Sequence, residues 1–328
     1  MSSPPLHCAC YESERIGQVL VKSEGREMFW EVAETRREIW RLLLAVVLIV
    51  VTWGGTMFVL AKAIQAIRML FGATTLPKVL DFSSSPGPVV ILLLTYAGLT
   101  LGIALAVWFL YRRRFRTLFG ASERIRWDHF GLGVLAILAI TLAMLLLTFL
   151  APLFLPADIL PEIRRNLDLS QWLTYLLPGL VAVAIQTSAE EFAFRGLLLQ
   201  QLRARSANPL IWAVLPSCVF GLIHFDPSAF GETAAVLYVL YTTLAGIFLS
   251  IITLRTGNLG AALGLHFANN ALFVLFVSLH TYLSGASLYV IAPNMVASYF
   301  NFSLFITYAL IAYTLILCAA FFLWWRRA

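Results

Sequence analysis

The sequence predicts an all-α, polytopic membrane protein of about eight transmembrane helices with its active site inside the helix bundle, and three observations carry that expectation. Only 12% of the 328 residues are charged, against roughly a quarter in soluble domains, while 60% are hydrophobic and the mean hydropathy is +0.85. Apolar runs close to the ~20 residues needed to cross a hydrocarbon core recur at 42–64, 88–110, 130–154, 172–189, 208–225, 234–254, 259–280 and 302–325. The basic residues gather in alternate connections between these runs, as the positive-inside bias of multispanning proteins requires.

Taken in order, residues 1–40 form a polar tail without the apolar core of a signal peptide, so the first span is expected to act as its own insertion signal. Cys8-x-Cys10 has no second pair to complete a zinc site or a disulfide framework, and with Cys218 and Cys318 it reads as reduced thiol. Residues 41–171 read as scaffold helices. Gly54–Gly55 and the small residues Ala97, Gly98, Gly102 and Ala104 are of the kind that lets helices approach closely in lipid. The polar connection 156–171 is expected to be a solvated external loop. From Trp172 to Arg205 the pattern stays helical, longer than the membrane requires, with a kink expected at Pro178–Gly179 and a turn at Ser206–Pro209. Residues 172–280 carry the chemistry, and 281–328 an external loop and the last helix.

Orientation follows from charge. Arg26, Arg36, Arg37 and Arg41; Arg112, Arg113, Arg114, Arg116, Arg124 and Arg126; Arg203 and Arg205; Arg255; and Arg326 and Arg327 all fall on one side of an eight-span chain. Asp158, Glu162, Asp168, Asp226 and Glu232 fall on the other, with Lys62, Arg68 and Lys78 as mild dissent. Both termini are therefore expected in the cytoplasm, with a bacterial inner membrane as the location. The net charge of +6 is mostly topological. No basic stripe interleaved with aromatics points to nucleic acid, and the partner that composition implies is the lipid bilayer.

The chemistry starts in QTSAEEFAFRGLLLQQLRA, residues 186–204, where Glu190, Glu191 and Arg195 interrupt an apolar run. A charge at the centre of a membrane helix costs about 2.5–3.5 kcal/mol on insertion scales, so something must offset it. Glu191 and Arg195 are four apart, acid before base, and can pair. Glu190 is left as a spare carboxylate, about 100° round the helix on the stripe of Gln186, Phe194 and Leu197. In the next span Phe220 and His224 share a face, and counted from the turn near 206 His224 lies at the depth of Glu190, so carboxylate and imidazole can meet. In span seven His266 and Asn270 share a face, with Asn269 as a neighbouring amide. A packing histidine or interhelical amide glue, at around 0.6 kcal/mol per bond, explains any one of these but not their convergence.

As patterns these are EExxxR, FxxxH and HxxxN in that order on three helices, and in EEFAFRG, FGLIH and HFANN the chain resembles the CPBP (CAAX protease and bacteriocin-processing, or Abi) family of intramembrane endopeptidases over residues 172–280. The resemblance implies glutamate-type proteolysis without a cofactor. Glu190 with His224 would activate a water, His266 and Asn270 would donate to the oxyanion, and Glu191, Arg195 and Phe220 would support them. Such a division is chemically sound, since a held carboxylate can deprotonate water and Asn or His donors stabilise a developing oxyanion. One alternative is a zinc metalloprotease with Glu190, His224 and His266 as ligands, although no HExxH is present. Another is a non-catalytic immunity or scaffold protein; a transporter is disfavoured by the lack of repeats. The catalytic chamber is expected to open to the cytoplasm, with Leu197 and Gln200 facing its water.

Overall fold

The computed structural model describes residues 28–71, 85–154, 162–279 and 283–292. In chain order the main elements are α1 (Ile39–Phe71), α2 (Pro86–Leu110), α3 (Trp127–Leu153), strand β1 (Glu162–Arg165), α4 (Leu169–Arg203), α5 (Leu210–Leu222), α6 (Glu232–Thr256), α7 (Gly260–Phe276), and strands β2 (Val277–Leu279) and β3 (Tyr289–Ala292). Helices α1, α2, α3, α4 and α6 are the five among the described residues that are long and apolar enough to cross a membrane. The chain is thus an all-α polytopic membrane protein in class, but the count of eight spans is not reached. The run at 302–325 lies outside the described residues, as do Cys8, Cys10 and Cys318. Helices α5 and α7 are about 20 and 25 Å long by helical rise, short of a ~30 Å core.

Each short helix stops for a local reason. Beyond Leu222 the chain turns at Asp226, whose Oδ1 accepts from Ser228 N and Ala229 N, each at 3.1 Å, and so caps the one-turn helix Pro227–Phe230. Helix α7 runs straight into β2 at Val277, where the backbone becomes extended. The three strands form one sheet in the order β1-β3-β2, with β1 antiparallel and β2 parallel to β3. This corrects the reading of 156–171 as loop alone. The side chains of Glu162–Arg165 are exposed as a loop's would be, and Glu162 pairs with Arg164 at 2.6 Å, but their backbone finds a partner more than 120 residues away, which local pattern does not reveal.

At the opposite end the arginines close the helices. Arg41 Nη1 donates to Leu110 O at 2.7 Å and Arg37 Nη1 to Ala204 O at 3.3 Å, so carbonyls orphaned at the ends of α2 and α4 gain cationic donors. Arg205 reaches both Gln201 Oε1 (2.8 Å) and Glu38 O (3.1 Å), and the Arg203 guanidinium lies 4.1 Å from the Trp30 ring centroid. The segments 29–41, 110–126 and 203–205 therefore meet at one basic end. Asn258 ties α7 to the same place, with Oδ1 accepting from Arg126 N (3.0 Å) and Gly260 N (2.9 Å) and Nδ2 donating to Arg124 O (2.8 Å).

Close helix approach sets the lateral positions. A Cβ on Gly98 would stand 2.2 Å from Thr56 Oγ1, and one on Gly102 2.8 Å from Ile49 Cα, so the glycines of α2 do admit α1. Among the described residues nothing lies within 4 Å of a Cβ placed on Gly54 or Gly55, so neither serves this purpose there. The tightest approach joins α3 to α7, where a Cβ on Gly264 would stand 2.1 Å from Phe130 O and one on Gly133 2.7 Å from Ala261 O. Backbone cannot yield as a side-chain tip can. Gly264→Val is expected to lower the midpoint of thermal unfolding in detergent by a shift equivalent to about 1–3 kcal/mol or more, whereas Gly54→Ala should leave it unchanged; an unchanged midpoint in Gly264→Val would show that the α3–α7 approach is not required.

Candidate active site

Glu190 and Glu191 sit halfway down α4, directly before a π-wound stretch, Phe192–Leu198. Such stretches interrupt the regular ladder and recur at functional sites. Another, Leu272–Phe276, begins just beyond Asn269 and Asn270. The charges are fully inside the bundle: Glu191 is 0%, Arg195 1%, Glu190 6% and His266 8% exposed. Arg195 Nη1 donates to Glu191 Oε1 at 2.8 Å, as the four-residue spacing requires. The same oxygen also accepts from His266 Nδ1 at 2.7 Å, a bond the sequence reading did not foresee. A carboxylate ion-paired with arginine can only accept, so Nδ1 carries the hydrogen. The ring's other nitrogen, Nε2, then lies 3.4 Å from Glu190 Oε2. His266 is held between the two adjacent carboxylates, and Glu190 Oε2 is buried without a hydrogen-bond partner among the described residues.

Phe220 joins these groups to His224. Its ring centroid is 4.9 Å from the Arg195 guanidinium carbon, a cation–π arrangement of about 2 kcal/mol when desolvated. It also meets His224 and His266 edge-on, at 4.8 and 6.0 Å between centroids. His224 lies in the turn after α5, where its backbone N–H bonds Gly221 O and leaves Phe220 O for the imidazole, Nδ1–H to O, at 2.7 Å. A carbonyl only accepts, so in the neutral ring His224 Nε2 is the nitrogen with a free lone pair.

The expected meeting of Glu190 with His224 is corrected: among the described residues the imidazole paired with Glu190 is His266, and no ion pair joins Glu190 to His224. Counting from the turn fixed depth but not rotation. Both arms of the hairpin contain π-wound stretches, and α5 follows α6, where a Cβ on Gly221 would stand 2.1 Å from Thr243 Oγ1, so that His224 stacks toward Tyr238 at 5.8 Å.

His224, His266, Asn269 and Asn270 nonetheless line one cavity, with Phe220, Tyr238 and Tyr241 beside them and Ile137, Phe248 and Leu265 forming an apolar side. Asn270 Nδ2 donates to Gln186 Oε1 at 3.0 Å, Asn269 Nδ2 to Asn270 Oδ1 at 3.1 Å, and the Tyr241 hydroxyl to Asn269 Oδ1 at 3.2 Å. Gln186 stood on the Glu190 stripe in the sequence; Tyr241 carried no signal there. Leu197 and Gln200 do not face a chamber. They are 1% and 0% exposed, and Gln200 Nε2 donates to Thr117 O at 2.9 Å, because the 115–119 turn covers that face of α4. Ser217 is committed to Ala213 O at 2.6 Å. Among the described residues no three His, Cys, Asp or Glu side chains are grouped to hold a metal ion; His266 Nδ1 is engaged by Glu191, and His224 is not joined to Glu190.

Comparison with known proteins bears on the same helices. Residues 170–272 match the family described as "Type II CAAX prenyl endopeptidase Rce1-like". The "Uncharacterized protein YyaK" of Bacillus subtilis (strain 168) is 28% identical over 253 residues, covering 75% of this chain and 80% of that one. No solved structure matches.

Arg195 offsets the buried charge of Glu191, and its loss should tell on folding first. Arg195→Ala is expected to destabilise by about 3–5 kcal/mol, the usual cost of stranding one member of a buried pair. Adding Glu191→Gln should restore part of the thermal midpoint in detergent, since the stranded charge is then gone. A single variant as stable as the parent would mean that Glu191 is not held as an ion by Arg195.

Proposed function

We propose that the chain, whose residues 170–272 match the family described as Rce1-like, is an intramembrane endopeptidase that hydrolyses a peptide bond in a membrane-associated protein or peptide, with a CAAX sequence carrying a prenylated cysteine as the substrate class suggested by the family description. The observation that carries this reading is Glu190 Oε2, a buried carboxylate oxygen with no hydrogen-bond partner, 3.4 Å from His266 Nε2. A carboxylate left unsatisfied in an apolar helix is costly, and a water between it and a substrate carbonyl would satisfy it.

In the proposed reaction Glu190 takes a proton from that water as its oxygen attacks the carbonyl carbon. Asn270 Nδ2 and His266 Nε2 donate to the resulting oxyanion. For His266 to donate from Nε2 while Nδ1–H is engaged by Glu191, the ring must carry both hydrogens. Collapse of the tetrahedral intermediate breaks the C–N bond, and the amine leaves with the proton held on Glu190, assisted by His224. Glu191 thus has a double part: it pairs Arg195 and fixes His266. The chemistry needs no metal. The basic end formed by Arg36, Arg37, Arg41, Arg203 and Arg205 would face the cytoplasm, with residues 172–280 as the catalytic unit and 41–171 as its scaffold.

The test uses purified protein in detergent and an internally quenched peptide with a farnesylated cysteine four residues from its free C terminus. Glu190→Gln should reduce turnover by roughly 100-fold or more, the contribution of a general base, at an unchanged thermal midpoint; near-normal turnover would sink the assignment. Treatment with a chelator should leave the parent's rate intact, whereas loss restored by added zinc would move the chemistry to a metal. If the farnesylated peptide is not cleaved, mass spectrometry of membrane peptides from cells expressing the parent or Glu190→Gln should still reveal fragments present only with the parent.

A further inference from the structure

Beside the carboxylate cluster, four polar side chains form one directed chain across three helices. The Tyr241 hydroxyl on α6 donates to Asn269 Oδ1 on α7, Asn269 Nδ2 donates to Asn270 Oδ1, and Asn270 Nδ2 donates to Gln186 Oε1 on α4. Gln186 is only 6% exposed and lies one helical turn before Glu190. A buried amide has two donors and an acceptor to place. For Asn270, the acceptor is taken by Asn269 and one donor by Gln186, which leaves a single N–H for the cavity it lines. Turning this amide end for end would set Oδ1 against Gln186 Oε1, two acceptors facing each other with no hydrogen between them.

We infer that Gln186 is a positioning residue that fixes which end of the Asn270 amide faces the reacting carbonyl, with Asn269 and Tyr241 holding the other end. The inference rests on the proposed oxyanion role of Asn270. An oxyanion donor is effective when it is already oriented before charge develops, and a site held by a supporting shell loses rate when that shell is left loose. Gln186 stands on the same helix as Glu190, so the base and the orientation of the donor are set by one rigid element. The benefit falls on the chemical step and not on substrate binding.

The experiment is a double-mutant cycle on the full chain in detergent, with the farnesylated quenched peptide as probe and Glu190→Gln as the inactive reference. Asn270→Ala should lose about 100- to 1000-fold in kcat. Gln186→Met, nearly equal in volume but unable to accept from Asn270, should lose roughly 10-fold or more in kcat with KM within about twofold, and should lose nothing further in the Asn270→Ala background. Gln186→Glu, which keeps an acceptor oxygen, should retain more kcat than Gln186→Met. If Gln186→Met fails to fold, Gln186→Thr, too short to reach Asn270 Nδ2, takes its place in the cycle. A wild-type kcat in the single variant, or the same fold-loss with and without Asn270, overturns the inference, because a merely structural role would be additive. If Glu190→Gln itself turns over normally, the proteolytic assignment fails and this inference with it; if Glu190→Gln is inactive and Gln186→Met is not impaired, the inference alone fails.

Discussion

Glu191 Oε1 holds two donors at once, Arg195 Nη1 at 2.8 Å from its own helix and His266 Nδ1 at 2.7 Å from α7. Arg195 and His266 meet at that oxygen, and Glu190 faces the ring they help to hold. The intrahelical bond offsets part of the cost of ionising a carboxylate in an apolar helix. The interhelical bond turns a ring that could rotate freely into one whose second nitrogen is committed toward Glu190. A neutral side chain at 191 would accept a bond from His266 but would leave Arg195 as an uncompensated charge, and a lysine at 195 would supply charge without the flat guanidinium that lies over Phe220. The spacing EExxxR is thus a joint solution to charge neutrality, ring orientation and aromatic packing.

The supporting architecture holds that oxygen's partners in place without spending further charge. Glycines at 133 and 264 let α3 and α7 touch backbone to backbone, and Asn258 fixes where α7 begins. Arginines that orient the chain in a membrane also finish the ends of α2 and α4, so topology and helix capping draw on the same residues. The apolar side of the cavity, Ile137, Phe248 and Leu265, comes from α3, α6 and α7, of which only α7 also contributes to the charged cluster, through His266.

What the sequence made legible was whatever depends on a single helix. The i, i+4 pair Glu191–Arg195, the shared face of His266 and Asn270, the stripe linking Gln186 to Glu190 and the membrane class all follow from one helix's periodicity. What was not legible depends on how two helices are rotated against each other. Glu190 was expected opposite His224 and is found opposite His266, because the π-wound stretches and the Gly221–Thr243 approach decide rotation, and neither is written in residue counts. Leu197 and Gln200 were expected to face water for the same reason, and are covered by a turn more than 75 residues earlier in the chain. The strand Glu162–Arg165 was invisible because its sequence has no apolar alternation and its partner is remote.

The small sheet gives the bundle an axial datum. β1 lies immediately before α4 and β2 immediately after α7, and both are bonded to β3; Trp172 Nε1 donates to Leu275 O at 2.6 Å just inside this junction. The two helices carrying Glu191 and His266, 75 residues apart in sequence, are therefore locked to one reference plane. Parallel or antiparallel rods in lipid can otherwise slip along each other by a helical turn, about 5.4 Å, at little cost in apolar contact. Such a slip would carry His266 from Glu191 out of bonding range altogether, so the strands act as a vernier stop, setting at the rim of the molecule a distance that is used deep inside it.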